Sequence, residues 1–490
     1  MKKVLIILAM AFCMAQGHAQ TFDRQQAKSS FDEFRKSVYS DFNNFRRKCM
    51  EDYIAFVRNP WKAFEETKPV PKPIEKDVPP VTMPKEDQSK PKKDVPVVID
   101  EVVPVQPTVP QPKPVEPVRE VPVVEAKNVT FTFFGTKGTV RFDADKRVHL
   151  NTMTETAVAD ALSRFTAENF DNLLYDCLRL RRNLKLCDWA YLQMLKALSG
   201  KIAGEGTNDA ELLMAWLYMQ SGYKMRLAFS DDRLYMLYAS RHLIYNITSY
   251  RIDGDIYYGV QQLPARLNIC QASFPKEQRL SLLLNTDQRL AEDRDKVRTI
   301  VSRQAPELEI SVSVNKNLLD FYSTYPSSML DENQMTRWAM YANTPMAEHV
   351  QEQIYPTMKA QLKGLSQEQA VGKLLNWVQT GFVYEYDDKV WGHDRAFFAE
   401  ETLYYPYCDC EDRSILLTRL VRDLLGLKCI LVYYPGHLAS AVAFDDHVSG
   451  DYILLQGKRF VIADATYIDA PVGMTMTGMD NQTAKVILLE

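Results

Sequence analysis

The chain has 490 residues, of which 46% are hydrophobic and 25% are charged, a balance that excludes a wholly disordered or collagen-like protein. The formal net charge is -4, so the chain lacks the positive field that binds nucleic acid, and we expect no nucleic-acid partner. At roughly 150 residues per domain, the length allows about three structural units.

The first twenty residues predict export. Two lysines precede an apolar run at residues 4–15, and Gly17 and Ala19 stand at positions -3 and -1 to Gln20. This order is typical of a secretory signal peptide, here residues 1–19, and the alternative is a short anchor helix. The apolar run is too short to span a bilayer. We therefore expect a soluble periplasmic or secreted protein with no membrane span.

Residues 20–66 predict an amphipathic helix with an 11-residue repeat. Aromatic residues recur at this interval from Phe31 and again from Phe34, with charged residues between them. Eleven residues make three turns at about 3.67 residues per turn, so each set returns to nearly the same face. Pro60 breaks the helix. Its apolar face either packs on the core of the chain or serves oligomerisation or docking through residues 22–59.

Residues 67–127 predict a proline-rich, disordered linker. Fifteen of the 25 prolines of the chain lie between residues 69 and 122, and this segment contains no glycine. Because proline cannot donate to a strand ladder, we expect an extended, largely polyproline II spacer that buries almost nothing. Its Pro-x-x-Pro triplets leave a role as a peptide ligand open.

Residues 128–262 predict an α+β domain, and residues 263–365 predict a connecting α/β region. The α+β domain begins with a hairpin at 129–142 and continues with helices through about 165–200. The elements that follow are a helix at Ala210–Ser221, ended by Gly222, and strands at Lys224–Phe229, Leu234–Ala239, Ile244–Tyr250 and Ile256–Val260.

Residues 366–490 predict a domain in which one helix packs on an antiparallel sheet. Ser366 is an N-cap residue with Gln369 three positions later, and it begins a helix that Gly381 ends. A second helix follows Cys410 and ends at Gly426. The predicted strands are Cys429–Tyr434, Leu438–Phe444, Tyr452–Leu455 and Arg459–Ala463.

Three residues of this domain predict nucleophilic chemistry. Cys410 stands at a helix N-terminus, where unpaired amides favour a thiolate. His437 opens one strand and could activate the thiol, and Asp464 ends another strand and could orient the imidazole. The last two meet only if their strands are antiparallel neighbours. The Cys410 amide is one oxyanion donor, and Trp391 and Gln379 are candidates for the second.

These residues resemble the transglutaminase-like superfamily of papain-like cysteine enzymes, in particular its bacterial proteinase branch. The resemblance covers residues 366–470, and it implies that Cys410 is the nucleophile, His437 the base and acid, and Asp464 the orienting carboxylate. It also implies a calcium site at Asp409 and Glu411. The matching stretches are Asp409-Cys410-Glu411-Asp412-Arg413-Ser414, Pro435-Gly436-His437 and Ile462-Ala463-Asp464-Ala465-Thr466-Tyr467.

The sequence departs from the family pattern at two places. Ala465 stands where the family usually has proline, which costs a turn preference and no chemistry. The acidic pair Glu411-Asp412 opposes formation of a thiolate at the preceding cysteine.

Other chemistry at the same cysteine is less well supported. A zinc site would need Cys408, Cys410, Cys429 and His437, but its Cys-x-Cys spacing is too tight for the usual pattern. A Cys408–Cys410 disulfide would be strained.

A shift of 204 residues predicts an internal duplication. It aligns Gly222 with Gly426, and it places Gly206 opposite Cys410 and Arg233 opposite His437. Residues 128–262 would then be a degenerate, inactive copy of the C-terminal fold. The alternative is an unrelated accessory domain, because helix–glycine–strand units are common.

The sequence thus predicts an exported α+β cysteine proteinase or amidase that forms an acyl-enzyme on protein or peptide amides. Envelope proteins and peptidoglycan peptides are the expected substrates, and no cofactor is required apart from the implied calcium. Two alternatives stay open. One is an acyl transferase of the transglutaminase type, and the other is a non-enzymatic envelope-binding module with a vestigial triad.

Overall fold

The computed structural model describes residues 24–74, 77–88, 92–104, 127–167, 170–284, 286–294 and 296–489. The predicted signal peptide lies outside the described residues. Contacts divide the chain into two compact units, residues 1–52 and residues 53–490. Within the part of the chain that the structure describes, no helix combines the length and apolar character that crossing a membrane requires.

The secondary structure mixes helices and strands, which confirms the predicted α+β class. The helices are α1 Arg24–Val57, α2 Lys85–Gln88, α3 Glu155–Ala167, α4 Asp171–Asn183, α5 Asp188–Ala203, α6 Asn208–Gln220, α7 Lys316–Ser323, α8 Ala339–Asn343, α9 Glu348–Leu362, α10 Gln367–Gly381, α11 Asp387–Val390, α12 Ala399–Tyr404 and α13 Cys410–Leu425. The strands are β1 Lys62–Glu65, β2 Val81–Thr82, β3 Val95–Pro96, β4 Glu101–Val103, β5 Asn128–Phe133, β6 Thr136–Arg141, β7 Met225–Ser230, β8 Arg233–Ser240, β9 His242–Ile244, β10 Ser249–Ile252, β11 Asp255–Gly259, β12 Arg266–Ile269, β13 Val297–Val301, β14 Glu309–Ser313, β15 Ser328–Leu330, β16 Val383–Tyr384, β17 Tyr407–Cys408, β18 Lys428–Tyr434, β19 His437–Ala443, β20 Asp451–Leu455, β21 Lys458–Ala463, β22 Tyr467–Ile468 and β23 Lys485–Leu488.

The N-terminal unit contains most of the predicted amphipathic helix, α1. The apolar side chains of Phe31 and Phe34 are 61% and 50% exposed, and Phe45 is 46% exposed. Oligomerisation or docking through residues 22–59 stays a prediction. The helix ends at Val57, and residues 62–65 form strand β1. The predicted break of the helix at Pro60 is therefore confirmed, whereas residues 62–65 of the segment predicted as 20–66 belong to a β-sheet.

The upstream part of the second unit is built on a six-stranded antiparallel sheet. Its strands lie in the order β1-β12-β7-β8-β11-β10. Helix α6 packs on β7 and β8, and helix α5 packs on α6. The single strand predicted at Ile244–Tyr250 was wrong, because Asn246 adopts a left-handed backbone conformation (φ 60°) and separates β9 from β10. Strand β12 also belongs to this sheet, so the sheet extends past the predicted boundary at residue 262.

The C-terminal part is built on a seven-stranded sheet in the order β3-β20-β21-β19-β18-β23-β4. The five central strands are antiparallel, and helix α13 packs on β18 and β19. On the buried face of the helix, Ile415, Leu416 and Leu420 have no exposed surface. Each such side chain contributes about 1.5–3 kcal/mol to the free energy of folding, which fixes the helix that begins with Cys410 against the sheet.

The proline-rich segment supplies both edges of that sheet. Strand β3 pairs in parallel with β20, and β4 pairs in parallel with β23. Val97 and Val103 are 4% and 2% exposed. The prediction of a disordered linker was therefore wrong for residues 67–74, 77–88 and 92–104, while residues 75–76, 89–91 and 105–126 lie outside the described residues. Valines between the prolines make short strands, and proline is tolerated because an edge strand leaves one side of its backbone unpaired.

Candidate active site

Two strands bring His437 and Asp464 together. Strand β19 lies antiparallel and adjacent to β21, with Ser440 opposite Ala463. The imidazole at the start of β19 therefore meets the carboxylate that follows β21, and Nε2 of His437 lies 2.8 Å from Oδ2 of Asp464. This is the arrangement that the predicted pair requires.

The carboxylate of Asp464 is held by its own turn. Its Oδ1 accepts hydrogen bonds from the backbone amides of Thr466 and Tyr467, at 2.8 and 3.2 Å. Oδ2 is left to accept the Nε2 proton of His437, which makes Nδ1 the unprotonated ring nitrogen. Nδ1 is buried and has no hydrogen-bond partner among the described residues. The imidazole thus has one nitrogen oriented and the other available for a proton.

Cys410 is the first residue of α13, and Asp409 is its N-cap residue. The Cys410 thiol donates a hydrogen bond to Oε2 of Glu411 at 3.2 Å. Burial raises the pKa of this thiol well above its usual value, and the carboxylates of Glu411 and Asp409 raise the pKa further. A hydrogen bond from the Leu438 amide acts in the opposite direction. The thiolate expected at a helix N-terminus is therefore not favoured here, because burial and nearby acids outweigh the helix dipole.

Buried polar contacts fix α13 against its neighbours. Ser414 donates from Oγ to the carbonyl of Leu438, the residue after His437, at 2.8 Å. Arg413 is 1% exposed and donates to the carbonyls of Gln379 and Phe382 at the end of α10. The first turn of α13 is therefore tied both to the strand that carries the imidazole and to the preceding helix.

A cluster of carboxylates surrounds the start of α13. The side-chain oxygens of Asp387, Asp409 and Asp412 lie within 4.8 Å of one another, as do those of Asp387, Asp394 and Glu411. The implied calcium ligands Asp409 and Glu411 are therefore joined by three acids that the sequence analysis did not select. Asp387 and Asp394 come from the segment before α12, and the signal that could have found them is its density of acidic residues.

Burial and like charges raise the pKa values of Asp387, Asp409 and Asp412. Burial raises the pKa of Asp387 to about 8, with Glu411 as the next cause. The pKa values of Asp409 and Asp412 are raised well above the usual range by burial and by the neighbouring carboxylates. Oδ1 of Asp409 is buried without a hydrogen-bond partner in the described structure. A divalent cation with oxygen ligands would satisfy this oxygen and neutralise the cluster.

The proline-rich segment covers the candidate site. The Val78 amide donates to the carbonyl of Gly436, next to His437, at 2.8 Å, and the negative charge of Asp77 raises the pKa of the Cys410 thiol. Strand β2 pairs in parallel with β22, just after Asp464. We call residues 77–83 the strap. The side chains of His437 and Asp464 are 0% and 1% exposed, so the strap lies over a site that is closed to solvent.

The two residues predicted as candidates for the second oxyanion donor, Gln379 and Trp391, have different surroundings in the structure. The side-chain amide of Gln379 donates to the carbonyls of Asp464, Tyr467 and Ala470, so it is already committed. The ring of Trp391 packs edge-on against Phe397 and Tyr405.

Tyr384 is a donor that the sequence analysis missed. Its hydroxyl is buried without a partner in the described residues, and burial raises its pKa, with the charges of Cys410 and Asp409 as the next causes. It therefore stays protonated and can donate. It lies in the two-residue strand β16, which no sequence pattern marks.

The structure does not assemble the alternative zinc ligands. Among the described residues, three groups of side chains are close enough to hold one metal ion together. None of these groups contains Cys408, Cys429 or His437. Sγ of Cys429 instead lies 3.8 Å from the carbonyl of Leu427 inside the sheet. Cys408 and Cys410 form no disulfide.

The chain was compared with family models, with curated proteins and with solved structures, and none of the three comparisons gives a match. The geometry and the sequence therefore carry the functional argument.

Proposed function

We propose that this chain is an exported, papain-like cysteine proteinase or amidase of the transglutaminase-like type. The observation that carries the proposal is the pair formed by His437 and Asp464, whose second ring nitrogen is buried and has no partner among the described residues. The strand that begins with His437 packs on the helix that begins with Cys410. A carboxylate that accepts from one ring nitrogen and leaves the other for a thiol is the arrangement that a cysteine triad needs.

The reaction would proceed through a thioester. The thiol proton of Cys410 passes from Sγ to Nδ1 of His437, and the sulfur attacks the carbonyl carbon of the amide. The imidazolium then gives this proton to the nitrogen of the leaving amine as the C–N bond breaks. Water attacks the thioester and gives a proton to His437. The C–S bond breaks, and that proton returns to the sulfur as the carboxylic acid leaves.

In the proposed reaction, two groups would stabilise the negative charge on the oxygen of the intermediate. One is the backbone amide of Cys410 at the helix N-terminus, and the other is the hydroxyl of Tyr384. Losing one such donor typically costs about 10²–10³ in rate. Replacing Tyr384 with phenylalanine should lower kcat by that order and leave the affinity for peptide nearly unchanged. A kcat equal to that of the wild type would remove Tyr384 from this role.

We propose that the acidic cluster holds calcium. Asp387, Asp394, Asp409, Glu411 and Asp412 offer only oxygen ligands, the kind that calcium prefers. A bound cation would supply positive charge beside Cys410 and so offset the acids that oppose its thiolate. Calcium should raise the melting temperature of the wild type relative to a solution with chelator, and Asp387→Asn should reduce this difference. Asp331→Asn, at an exposed site, is the control, and equal melting with calcium and with chelator would contradict the site.

The substrate class is protein or peptide amides, with cell-envelope proteins and peptidoglycan peptides as the expected substrates. Hydrolysis is favoured over acyl transfer, since a transferase needs a second site for the amine. Wild type and Cys410→Ala should be incubated with envelope extract, and new peptide termini should be mapped. New termini that appear only with the wild type would support hydrolysis, whereas new isopeptide bonds would support transfer.

The raised pKa of Cys410 and the closed site favour one second candidate, a non-enzymatic envelope-binding module. Thiol labelling separates the two. In a hydrolase, iodoacetamide should modify Cys410 faster than Cys429, a buried cysteine of the same sheet, at neutral pH, and His437→Ala should slow that labelling. Equal, slow labelling of both cysteines would favour the binding module.

A further inference from the structure

The upstream and C-terminal sheets have the same central topology. In the first, the strands that follow α6 lie in the order β12-β7-β8-β11-β10, and in the second, the strands that follow α13 lie in the order β23-β18-β19-β21-β20. In both, the helix packs on the first two strands after it, and an earlier helix packs on that helix. The predicted duplication is consistent with this arrangement. Because the strand order is the same, each residue position in the upstream sheet has a corresponding position in the C-terminal sheet.

The hairpin registers identify the positions that correspond to the candidate triad. Ser230 pairs with Arg233 across the β7–β8 turn, as Tyr434 pairs with His437 across the β18–β19 turn. Arg233 therefore occupies the position of His437. Counting along β8 and β11 in the same way places Gln261 at the position of Asp464.

These two side chains also contact each other. Nη2 of Arg233 donates to Oε1 of Gln261 at 3.0 Å, where His437 donates to Asp464 in the other sheet. Nη1 of Arg233 donates to the carbonyl of Gly206, the residue predicted opposite Cys410. The upstream sheet thus has a hydrogen-bonded pair at the two corresponding positions, but it has neither a thiol nor an imidazole at the positions of the candidate triad.

A cavity of about 580 Å³ lies at this place, lined by Gly206, Arg233 and Gln261. This volume is within the range of small-ligand sites, about 300–1,000 Å³. A Cβ added to Gly206 would meet nothing within 4 Å, so the cavity is open beside this glycine. The Nε2 amide group of Gln261 is buried without an acceptor among the described residues. A donor without an acceptor in the cavity wall calls for a ligand oxygen.

The charges of the cavity favour an anion. Arg233, Lys196 and Lys201 line it, and Glu205 and Glu211 are its acidic residues. The charges of Arg233 and Lys196 act on Glu211. Burial raises the pKa of Glu211 to about 7, and its Oε1 accepts from the Met236 amide at 2.7 Å. With both acids ionised, the lining still has one more positive charge than negative charges.

Part of the cavity lining is apolar. Phe131, Phe133 and Phe134 of the β5–β6 hairpin belong to it, together with Met214. A ligand that suits both the charged and the apolar part of the lining has an anionic end and an apolar body. Arginine and a side-chain amide next to one another suit a carboxylate, because both present N–H donors to its two oxygens.

We propose that this cavity binds carboxylates with an apolar body, such as the C-terminal end of a peptide whose last residue is apolar. Arg233 and Gln261 receive the carboxylate, and the phenylalanines contact the apolar side chain. The site binds without cleaving, because no nucleophile is present at Gly206. This assignment follows from the cavity itself and does not depend on the function proposed for Cys410.

Binding should be measured by calorimetry on the full-length Cys410→Ala variant, which cannot cleave the probe. The probes are acetyl-Ala-Ala-Phe with a free carboxylate, the same peptide as its C-terminal amide, and N-acetylphenylalanine. We expect the free carboxylate to bind at least tenfold tighter than the amide. Equal affinity of the two tripeptides would overturn the proposal. Comparison of the tripeptide with N-acetylphenylalanine distinguishes a peptide end from a small acid as the preferred form.

Variants assign this binding to the upstream cavity. Arg233→Gln should weaken the free tripeptide at least tenfold, and Lys196→Gln, at an exposed position, should weaken it severalfold without disturbing the fold. Arg251→Gln is the matched control, since Arg251 is exposed and pairs with Glu332 outside the cavity. Unchanged binding in both cavity variants would refute the site. Failure of the proposed hydrolase would appear instead as slow labelling of Cys410 and leave this assay unaffected.

Discussion

Each of the two large sheets is covered by a pair of packed helices, and the segment that joins the two helices differs greatly in length between the sheets. In the upstream part, residues 204–207 join α5 to α6, and in the C-terminal part, residues 382–409 join α10 to α13. The longer segment carries Tyr384, Asp387 and Asp394, which all lie around the start of α13. One arrangement of strands thus supports a candidate catalytic site or an anion-binding cavity, and the inserted segment and a few side chains decide which.

The same two sites also differ in access. The upstream cavity is open beside Gly206, whereas the side chains of His437 and Asp464 have 0% and 1% of their surface exposed. The strap accounts for part of this difference, since its backbone bonds to Gly436 and to β22. A reagent or ligand can reach Cys410 only if this side of the site opens.

The triad should give the largest effect in this comparison. Cys410→Ala and His437→Ala should each abolish turnover, and Asp464→Asn should lower kcat by about 10⁴, the loss that this exchange causes in a serine protease triad, because the wrong tautomer is then favoured. Arg251→Gln, at an exposed position of the upstream sheet, should leave kcat unchanged. Activity should be measured with a fluorogenic peptide, with circular dichroism as a check of the fold. Full activity of Cys410→Ala would disprove the assignment.

The second largest effect concerns the pH dependence of the free energy of unfolding. One buried glutamate in the upstream part and one in the C-terminal part should contribute to it. Burial raises the pKa of Glu211 in α6 and of Glu400 in α12 to about 7. Between pH 4.5 and 7 the folded chain therefore holds protons that the unfolded chain has released, so the free energy of unfolding falls as pH rises through this window.

The size of this pH effect can be tested with neutral side chains. Glu211→Gln and Glu400→Gln should each remove a loss on the order of 2–3 kcal/mol between pH 4.5 and 8. The measurement is urea unfolding at several pH values, with Glu332→Gln at an exposed site as the control. A pH dependence identical to that of the wild type in both variants would show that neither carboxyl is perturbed.

Loosening the strap should have a smaller effect, confined to the C-terminal site. Val78→Pro removes the amide that donates to Gly436, and loss of one such hydrogen bond is worth about 1 kcal/mol. We expect iodoacetamide to label Cys410 severalfold faster, while the labelling of Cys270 in the upstream part is unchanged. Faster labelling of both cysteines would indicate general destabilisation, and no change at either would show that the strap does not limit access.

The last prediction is that a thiol added to the upstream part creates no hydrolytic activity. Gly206→Cys places a thiol beside Arg233, which cannot act as a base because its guanidinium stays protonated. We expect no peptide hydrolysis when this change is made in the Cys410→Ala background. Mass spectrometry after labelling would show whether the new thiol is accessible. Hydrolysis by this variant would mean that the upstream part is an active copy, contrary to its interpretation as a degenerate one.

Local signals in the sequence predicted much of the C-terminal part. Ser366 and Gln369 form the expected capping box, and Gly426 takes a left-handed conformation after α13. The strand contexts of His437 and Asp464 predicted a contact on condition of their pairing, and the structure meets that condition. Such features are predictable because each depends on residues close in sequence or on a single strand pair.

Contacts between distant segments were not predictable in the same way. Asp394 approaches Glu411, and Val81 pairs with Tyr467, but neither contact leaves a local pattern. Proline content indicated extended backbone in the linker, but it carries no information about which sheet edge that backbone meets, so the predicted disorder was wrong where the segment forms edge strands. The contact between Arg233 and Gln261 became visible only through the register of β8 and β11.

The pairing of the proline-rich segment with the C-terminal sheet has a consequence for folding kinetics. Strands β3 and β4 precede most of the chain, and their partners β20 and β23 are made near its end. Contacts of such high sequence separation form slowly. During synthesis, β3 and β4 therefore remain unpaired until β20 and β23 have been made. The outer edges of the five central strands stay open until β3 and β4 pair with them. Since open edges invite pairing with other chains, docking of this segment is the step that ends the aggregation risk of the newly made protein.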